Sequence, residues 1–160
     1  MTKFHKVFVY GTLKTNEPNY HWLTEKENGH SRLVGNAKTA QKYPLVIASR
    51  YNIPYALDKE GVGENIKGEV YEVDDLMLSK LDILEDHPKY YKRKVKEVIL
   101  EESGEKCEVW IYLLHTFKDS MLNLPFLVSY ESKGDHGLPY VMRYLREKPG
   151  SEYWSDVKQE

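Results

Sequence analysis

The chain has 160 residues, a formal net charge of −2 and a single cysteine. A chain of this length typically forms one domain with its own core. The near-neutral charge gives no electrostatic argument for binding nucleic acid or an anionic membrane surface. One cysteine excludes an internal disulfide, and no apolar run approaches the roughly 20 residues that span a bilayer. Because the N-terminal sequence also lacks a signal-peptide core, we expect a cytoplasmic protein.

The first predicted strand, residues 6–10, ends at a glycine. Its residues are mostly β-branched or aromatic, a composition typical of a buried strand. Gly11 ends the strand, and Asn16 and Pro18 are typical of the start of a helix, which we predict over residues 19–25. The loop between them could direct its N–H groups at a carboxylate or an oxyanion. A strand followed by Gly-Thr can equally be an ordinary hairpin, so both interpretations stay open.

Further β-rich segments follow along the chain. The predicted strands cover residues 33–40, 45–48, 66–73, 91–100 and 106–115, and the last two are joined as a hairpin around Gly104. Helices are predicted over residues 75–85 and 138–146. Strands joined mostly by short turns, with two or three helices, predict an α+β fold with a curled, largely antiparallel sheet. We assign residues 1–146 to one domain and residues 147–160 to a polar, charged C-terminal tail.

The helix predicted over residues 75–85 carries a carboxylate on its apolar side. Met77, Leu81 and Leu84 have the i, i+4, i+7 spacing of an apolar stripe, and Glu85 follows Leu81 by four residues. A carboxylate on such a stripe is costly to ionise, so we expect its pKa to be raised. A raised pKa suits a general acid/base that acts near neutral pH. Glu85 is therefore the candidate catalytic residue.

Other interpretations of this helix remain open. Glu85 could instead reach solvent at the margin of the stripe, or pair with Lys89 or Arg93. Asp82 and Asp86 are rivals for the acid/base role, but Asp82 lies beside the stripe and Asp86 directly precedes the end of the helix. We rank both below Glu85.

No other chemical motif stands out. The six histidines show no metal-ligand spacing, and no serine lies in a nucleophile motif. Cys107 alternates with apolar residues and is expected to face the core of a strand. The basic run at residues 92–96 is expected to be a solvated sheet face. Tyr43, Tyr55 and Tyr91 could line a cleft, although core packing would explain them equally well.

Six sequence blocks, taken together, resemble one known family. In chain order they are VFVYGTLK, which is followed by Pro18-Asn19, and then YPLVIA, NIPY, GEVYEVD, LDILEDHPKYYKR and SYESKGDHGLPY. They extend over nearly all of residues 6–140 and resemble the gamma-glutamylcyclotransferase-like superfamily, in particular its amine-specific branch. The Y-G-T-L tetrapeptide alone is weakly specific, whereas the ordered set is strongly so.

The resemblance implies a small mixed β-barrel flanked by helices and a reaction that releases 5-oxoproline from a γ-glutamyl compound. In the amine branch the leaving group is a primary amine, typically lysine from the γ-glutamyl-ε-lysine left by digestion of transglutaminase-crosslinked proteins. By resemblance, the substrate loop is Tyr10, Gly11, Thr12 and Leu13, and the acid/base is Glu85. The family uses no metal or organic cofactor.

Two alternatives to this activity remain. The substrate could be another γ-glutamyl amino acid or glutathione. A second class of function would be a non-catalytic adaptor that binds a partner through a tyrosine-rich surface. We expect a small-molecule substrate and neither a nucleic-acid nor a membrane partner, and an enzyme of this size could act as a monomer.

Overall fold

The structure is a computed structural model that describes residues 3–142 and 156–157. Within these residues the strands are β1 (Phe4–Val9), β2 (Ser31–Thr39), β3 (Leu45–Ala48), β4 (Ile53–Ala56), β5 (Lys67–Asp74), β6 (Tyr91–Leu100) and β7 (Lys106–Leu114). The α-helices are α1 (His21–Thr24) and α2 (Asp75–Leu84), and single 3₁₀ segments cover Lys26–Asn28 and Asp119–Asn123.

Five of the strands form a closed barrel in the order β1-β5-β2-β6-β7. Neighbours pair antiparallel except β1 and β7, which run parallel and close the barrel where Val7 lies opposite Trp110. Strands β3 and β4 form a separate antiparallel hairpin. The predicted α+β class and the mixed, largely antiparallel barrel are therefore confirmed.

The C-terminal half of strand β1, residues 7–9, is buried on both faces. Val7 and Val9 belong to the apolar cluster that also contains Met77 of α2, while Phe8 belongs to a second cluster with Val70 of β5. Burial on both faces explains why β1 has an apolar run without polar alternation. Each fully buried side chain of this kind contributes about 1.5–3 kcal/mol. The strand therefore fixes the position of the loop that follows it.

Helix α2 has the predicted cap and apolar stripe. The Asp74 carboxylate accepts a 2.9 Å hydrogen bond from the amide of Met77, and Met77, Leu81 and Leu84 are buried. The helix ends one residue earlier than predicted, with Glu85 as its C-cap at φ −90° and ψ 0°. This end is where the chain turns toward β6.

Three segments depart from the sequence prediction. The first helix is only His21–Thr24, because a 3₁₀ turn replaces its continuation. Strand β4 was missed because Pro54 lies within it. A proline cannot donate to a ladder, but β4 belongs to a two-stranded sheet and has a free edge. The helix predicted over residues 138–146 is absent from residues 138–142, and its remaining part lies outside the described residues.

Of the predicted tail, the structure describes Asp156 and Val157. Val157 is fully buried, and the Asp156 carboxylate binds the Arg50 guanidinium with two hydrogen bonds of 2.8 Å. The boundary between domain and tail stays a prediction. Among the described residues, no helix is long and apolar enough to cross a membrane.

Candidate active site

One cavity brings together all five residues that the sequence singles out. Tyr10, Gly11, Thr12 and Leu13 line it from the loop after β1, and Glu85 lines it from the end of α2. The cavity encloses about 60 Å³, several times the space that one water molecule requires. The other lining residues are Phe8, Val9, Asn19, Ile53, Pro54, Leu84, Tyr90, Tyr91, Tyr112 and Tyr140.

Glu85 is the one carboxylate among the described residues that line this cavity, and they include no histidine, lysine or cysteine. The other ionisable groups there are phenols. Burial raises the pKa of Tyr10, Tyr91 and Tyr112 above its usual value, and the negative charge of Glu85 raises it further. These phenols therefore stay protonated at neutral pH. Glu85 is the lining group suited to accept a proton there.

The backbone on both sides of Glu85 is fixed by hydrogen bonds. Its amide donates to the Leu81 carbonyl at 2.9 Å, and its carbonyl accepts from the Tyr91 amide at 3.3 Å. The half-buried side chain lies at the C-terminal end of α2, where the helix dipole disfavours a negative charge. The raised pKa of Glu85 stays a prediction.

The rival carboxylates do not line the cavity. Asp82 forms a bidentate ion pair with Arg93, at 2.8 and 3.2 Å, and accepts a 2.7 Å hydrogen bond from the Tyr112 phenol. Asp86 is exposed and has a left-handed backbone, with φ 51°. The Arg93 guanidinium, considered above as an ion-pair partner for Glu85, binds Asp82 and stacks 4.2 Å from the Trp110 ring centroid.

Carbonyl groups of the loop after β1 accept hydrogen bonds from amides of nearby residues. The Gly11 carbonyl accepts from the Lys14 amide at 3.1 Å, and the Thr12 carbonyl accepts from the Asn19 amide at 2.8 Å. The N–H groups of residues 11–13 have no acceptor within the described part of the chain. Such N–H groups can bind a carboxylate or an oxyanion.

The alternative of an ordinary hairpin is wrong. Strand β1 pairs with β5 and β7, not with the next strand along the chain. Gly11 also lies against the hairpin of β3 and β4, because a Cβ at this position would be 2.9 Å from Cγ of Pro54. A glycine is needed at this close approach.

Asn19 and Tyr140 lie in segments that resemble the family, but the sequence prediction assigned neither of them to the site. Asn19 is 6% exposed and binds the loop through its backbone amide and its side chain, and its Nδ2 also contacts the Tyr140 phenol at 3.2 Å. These contacts depend on tertiary structure, which spacing alone does not reveal. Tyr90 lies in the same block, LDILEDHPKYYKR, as Glu85 and could have been found from that.

Of the three tyrosines considered as cleft walls, one lies in the cavity wall and two lie in the core. Tyr91 lines the cavity, whereas Tyr43 and Tyr55 are core residues. Tyr55 supports the wall from behind, because its ring stacks on Tyr91 at 5.8 Å and its hydroxyl hydrogen-bonds to that of Tyr90 at 2.5 Å. Cys107 is half-buried against the second apolar cluster, as expected from its strand.

The fold and the cavity define a small closed-barrel protein with a glycine loop after its first strand. Among the described residues that line the cavity, one, Glu85, is a carboxylate. The sequence model of the family "Gamma-glutamyl cyclotransferase, AIG2-like" matches residues 7–132. The chain belongs to this family.

Curated relatives and a solved structure are similar to this chain over most of its length. A Drosophila melanogaster protein whose name gives gamma-glutamylcyclotransferase as a provisional activity is 52% identical over 141 residues, covering 88% of each chain. The gamma-glutamylaminecyclotransferase of Bos taurus is 44% identical over 140 residues, covering 88% of this chain and 83% of the relative. The crystal structure of an AIG2-like protein from Mus musculus superimposes with a TM-score of 0.86 at 39% identity, covering 89% of this chain and 99% of that one.

Proposed function

We propose that this chain is a gamma-glutamylaminecyclotransferase, which releases 5-oxoproline and a free amine from a γ-glutamylamine. The observation that carries the proposal is the composition of the cavity. Glu85 is its one carboxylate among the described residues, and residues 11–13, whose N–H groups have no acceptor among those residues, line the same cavity. This combination suits a reaction that moves protons and develops charge on an oxygen but needs no protein nucleophile.

In the proposed reaction the nucleophile is the α-amine of the substrate. Its nitrogen attacks the γ-carbonyl carbon, the bond from that carbon to the leaving amine breaks, and a five-membered lactam forms. No water is consumed. Because the attack is intramolecular, a folded glutamyl chain can react with an effective molarity on the order of 10⁵–10⁸ M. Holding the substrate folded is therefore a large part of the catalysis.

Glu85 would carry the proton in both steps. It accepts a proton from the attacking amine and returns it to the nitrogen of the leaving amine as the bond breaks. One carboxyl group can serve as base and then as acid because the two transfers follow each other. The protonated phenols around it exclude water without competing for the proton.

The loop of Tyr10, Gly11, Thr12 and Leu13 would bind an anionic oxygen of the substrate. Two positions for that oxygen fit its free N–H groups: the α-carboxylate of the glutamyl group and the oxyanion of the tetrahedral intermediate. Either one would fix the glutamyl chain relative to Glu85.

The amine leaving group is supported by the name of the Bos taurus relative. We propose lysine, released from γ-glutamyl-ε-lysine, and hence a role in the breakdown of transglutaminase crosslinks. We also propose a cytoplasmic location, and the reaction on one small-molecule substrate can be carried out by a monomer. The single, unpaired Cys107 is compatible with a reducing compartment.

The test is release of 5-oxoproline from three donors: γ-glutamyl-ε-lysine, γ-glutamyl-alanine and glutathione. We expect product from the lysine compound alone. Product from another donor would support the 5-oxoproline-forming reaction but contradict the proposed substrate. A folded protein that releases 5-oxoproline from none of the three would contradict the function itself and favour the adaptor.

A further inference from the structure

Asn19 is a buried polar residue in the wall of the cavity. Its side chain and backbone together are 6% exposed, and it lines the same cavity as Glu85. It lies just before α1, where the chain leaves the loop that follows β1. A buried amide in a cavity wall needs partners for its oxygen as well as for its nitrogen.

The nitrogen of this amide has its partners. Nδ2 donates to the Thr12 hydroxyl at 2.8 Å and to the Tyr140 phenol at 3.2 Å. Oδ1 receives no hydrogen bond from any residue in the described ranges 3–142 and 156–157. This oxygen is accessible to solvent, so a ligand in the cavity can reach it. This oxygen can therefore accept a hydrogen bond from a donor on a ligand bound in the cavity.

We propose that Asn19 is a substrate-binding residue whose Oδ1 accepts a hydrogen bond from the α-ammonium group of the γ-glutamyl substrate. This inference rests on the proposed function. The N–H groups of residues 11–13 can only donate, so they bind oxygen atoms of the substrate and not its amine. The Asn19 oxygen supplies an acceptor for the amine in the same cavity.

A neutral acceptor suits the reaction. The bond between an ammonium group and a carbonyl oxygen is charge-assisted and therefore strong. An amide oxygen is too weak a base to remove the proton, so Asn19 orients the amine and leaves proton transfer to Glu85. The bonds from Asn19 to Thr12 couple this contact to the substrate loop.

The experiment compares three ligands by calorimetry in a Glu85→Gln background, where turnover is suppressed. They are γ-glutamyl-ε-lysine, glutaryl-ε-lysine, which lacks the α-amine, and 4-aminobutyryl-ε-lysine, which lacks the α-carboxylate. Adding Asn19→Ala should weaken binding of the two ligands that carry the amine by roughly 10- to 100-fold. Binding of glutaryl-ε-lysine should change less than about threefold, since it has no charged donor for the lost oxygen.

Two further variants act as controls. Asn19→Asp keeps an oxygen at this position and should retain the preference for ligands with the amine. Asn65→Ala removes a comparable amide that binds the Thr39 and Ala40 carbonyls, at 3.0 and 3.2 Å, away from the cavity. It should leave all three affinities unchanged.

Three results would overturn the inference. Equal loss of affinity for all three ligands would assign Asn19 a structural role only. Loss confined to the two ligands with a carboxylate would show that the amide presents its nitrogen to the cavity. No binding to the parent Glu85→Gln protein would leave Asn19 without a ligand. Release of 5-oxoproline by the wild-type protein is measured separately, so failure of the proposed function is distinguishable from failure of this assignment.

Discussion

The phenol of Tyr112 donates a 2.7 Å hydrogen bond to the carboxylate of Asp82, so a wall of the cavity is attached to an ion pair behind it. The backbone carbonyl of Tyr112 in turn accepts a 2.6 Å hydrogen bond from the buried hydroxyl of Tyr10. Hydrogen bonds thus hold two tyrosines of the cavity wall in place: Tyr10 is bound to Tyr112, and Tyr112 is bound to Asp82. Groups held in place before the substrate binds need no reorganisation during the reaction.

Tyr112→Phe should lower the free energy of unfolding by about 1–2 kcal/mol, because it removes a hydrogen bond to a charged acceptor. Asp82→Asn should cost more, about 3 kcal/mol, since it also leaves the Arg93 charge without its partner in a side chain that is 20% exposed. Urea unfolding at pH 7 measures both. Equal stability of Tyr112→Phe and the wild type would contradict the role given to this bond.

Glu85→Gln should lower the rate of 5-oxoproline release by roughly 10²–10⁴-fold, because the amide cannot accept the proton of the α-amine. Its thermal unfolding temperature should stay close to that of the wild type. Asp86→Asn is the matched control: the residue is adjacent but exposed and outside the cavity, so its rate should be unchanged. Near-normal turnover by Glu85→Gln would exclude the proposed role.

Gly11→Ala should reduce activity by more than tenfold, a loss of about 1.4 kcal/mol or more in transition-state stabilisation. Its Cβ would lie 2.9 Å from Cγ of Pro54, so the loop or β4 must move. Pro54→Ala removes the atom that clashes. The double variant should therefore recover part of the lost kcat/KM, and a double variant no better than Gly11→Ala would show that the contact with Pro54 is not the cause.

Alkaline pH should unfold the protein through its buried tyrosines. Burial raises the pKa of Tyr10, Tyr91 and Tyr112 in the folded state, whereas the unfolded value is about 10. The unfolded state therefore loses these protons first. Stability is fully present below pH 10 and falls as the pH rises above it, by up to about 1.4 kcal/mol per pH unit for each phenol.

The measurement is absorbance at 295 nm together with far-UV circular dichroism. The buried tyrosines should ionise only as the secondary structure is lost, so the two signals should change together above pH 10. Tyr91→Phe should reduce the slope of stability against pH above pH 10. Reversible ionisation of all tyrosines in a protein that stays folded would contradict this account.

The sequence predicts most of the barrel because local composition determines it. The β-branched run of β1 and the capped stripe of α2 are short-range patterns, and both are observed within a residue or two. Strand β4 escapes prediction because Pro54 argues against a strand unless the free edge of a two-stranded sheet is known. The resemblance to a known family supplied the closure of the sheet, which periodicity does not reveal.

Some residues of the candidate site can also be predicted from local sequence patterns, and others cannot. Glu85 can be found from its spacing on a helix, and Gly11 from its place at the end of a strand. Tyr112 has no such pattern, and although Asn19 and Tyr140 fall in segments that resemble the family, the contacts that place them in the cavity wall are tertiary and are not revealed by spacing. The hydrogen bond from Asn19 to Tyr140 joins residues 121 positions apart.

Because the barrel closes in parallel, the pairing of the first strand is completed only by the last strand. Val7 lies between Tyr71 of β5 and Trp110 of β7, and a ribosome adds both long after β1 has emerged. Until β7 is synthesised, β1 and the loop behind it lack one of their two neighbours, and long-range pairings of this kind form slowly. A nascent chain truncated before β7 would carry the complete glycine loop and Glu85 and still have no closed barrel to hold them together.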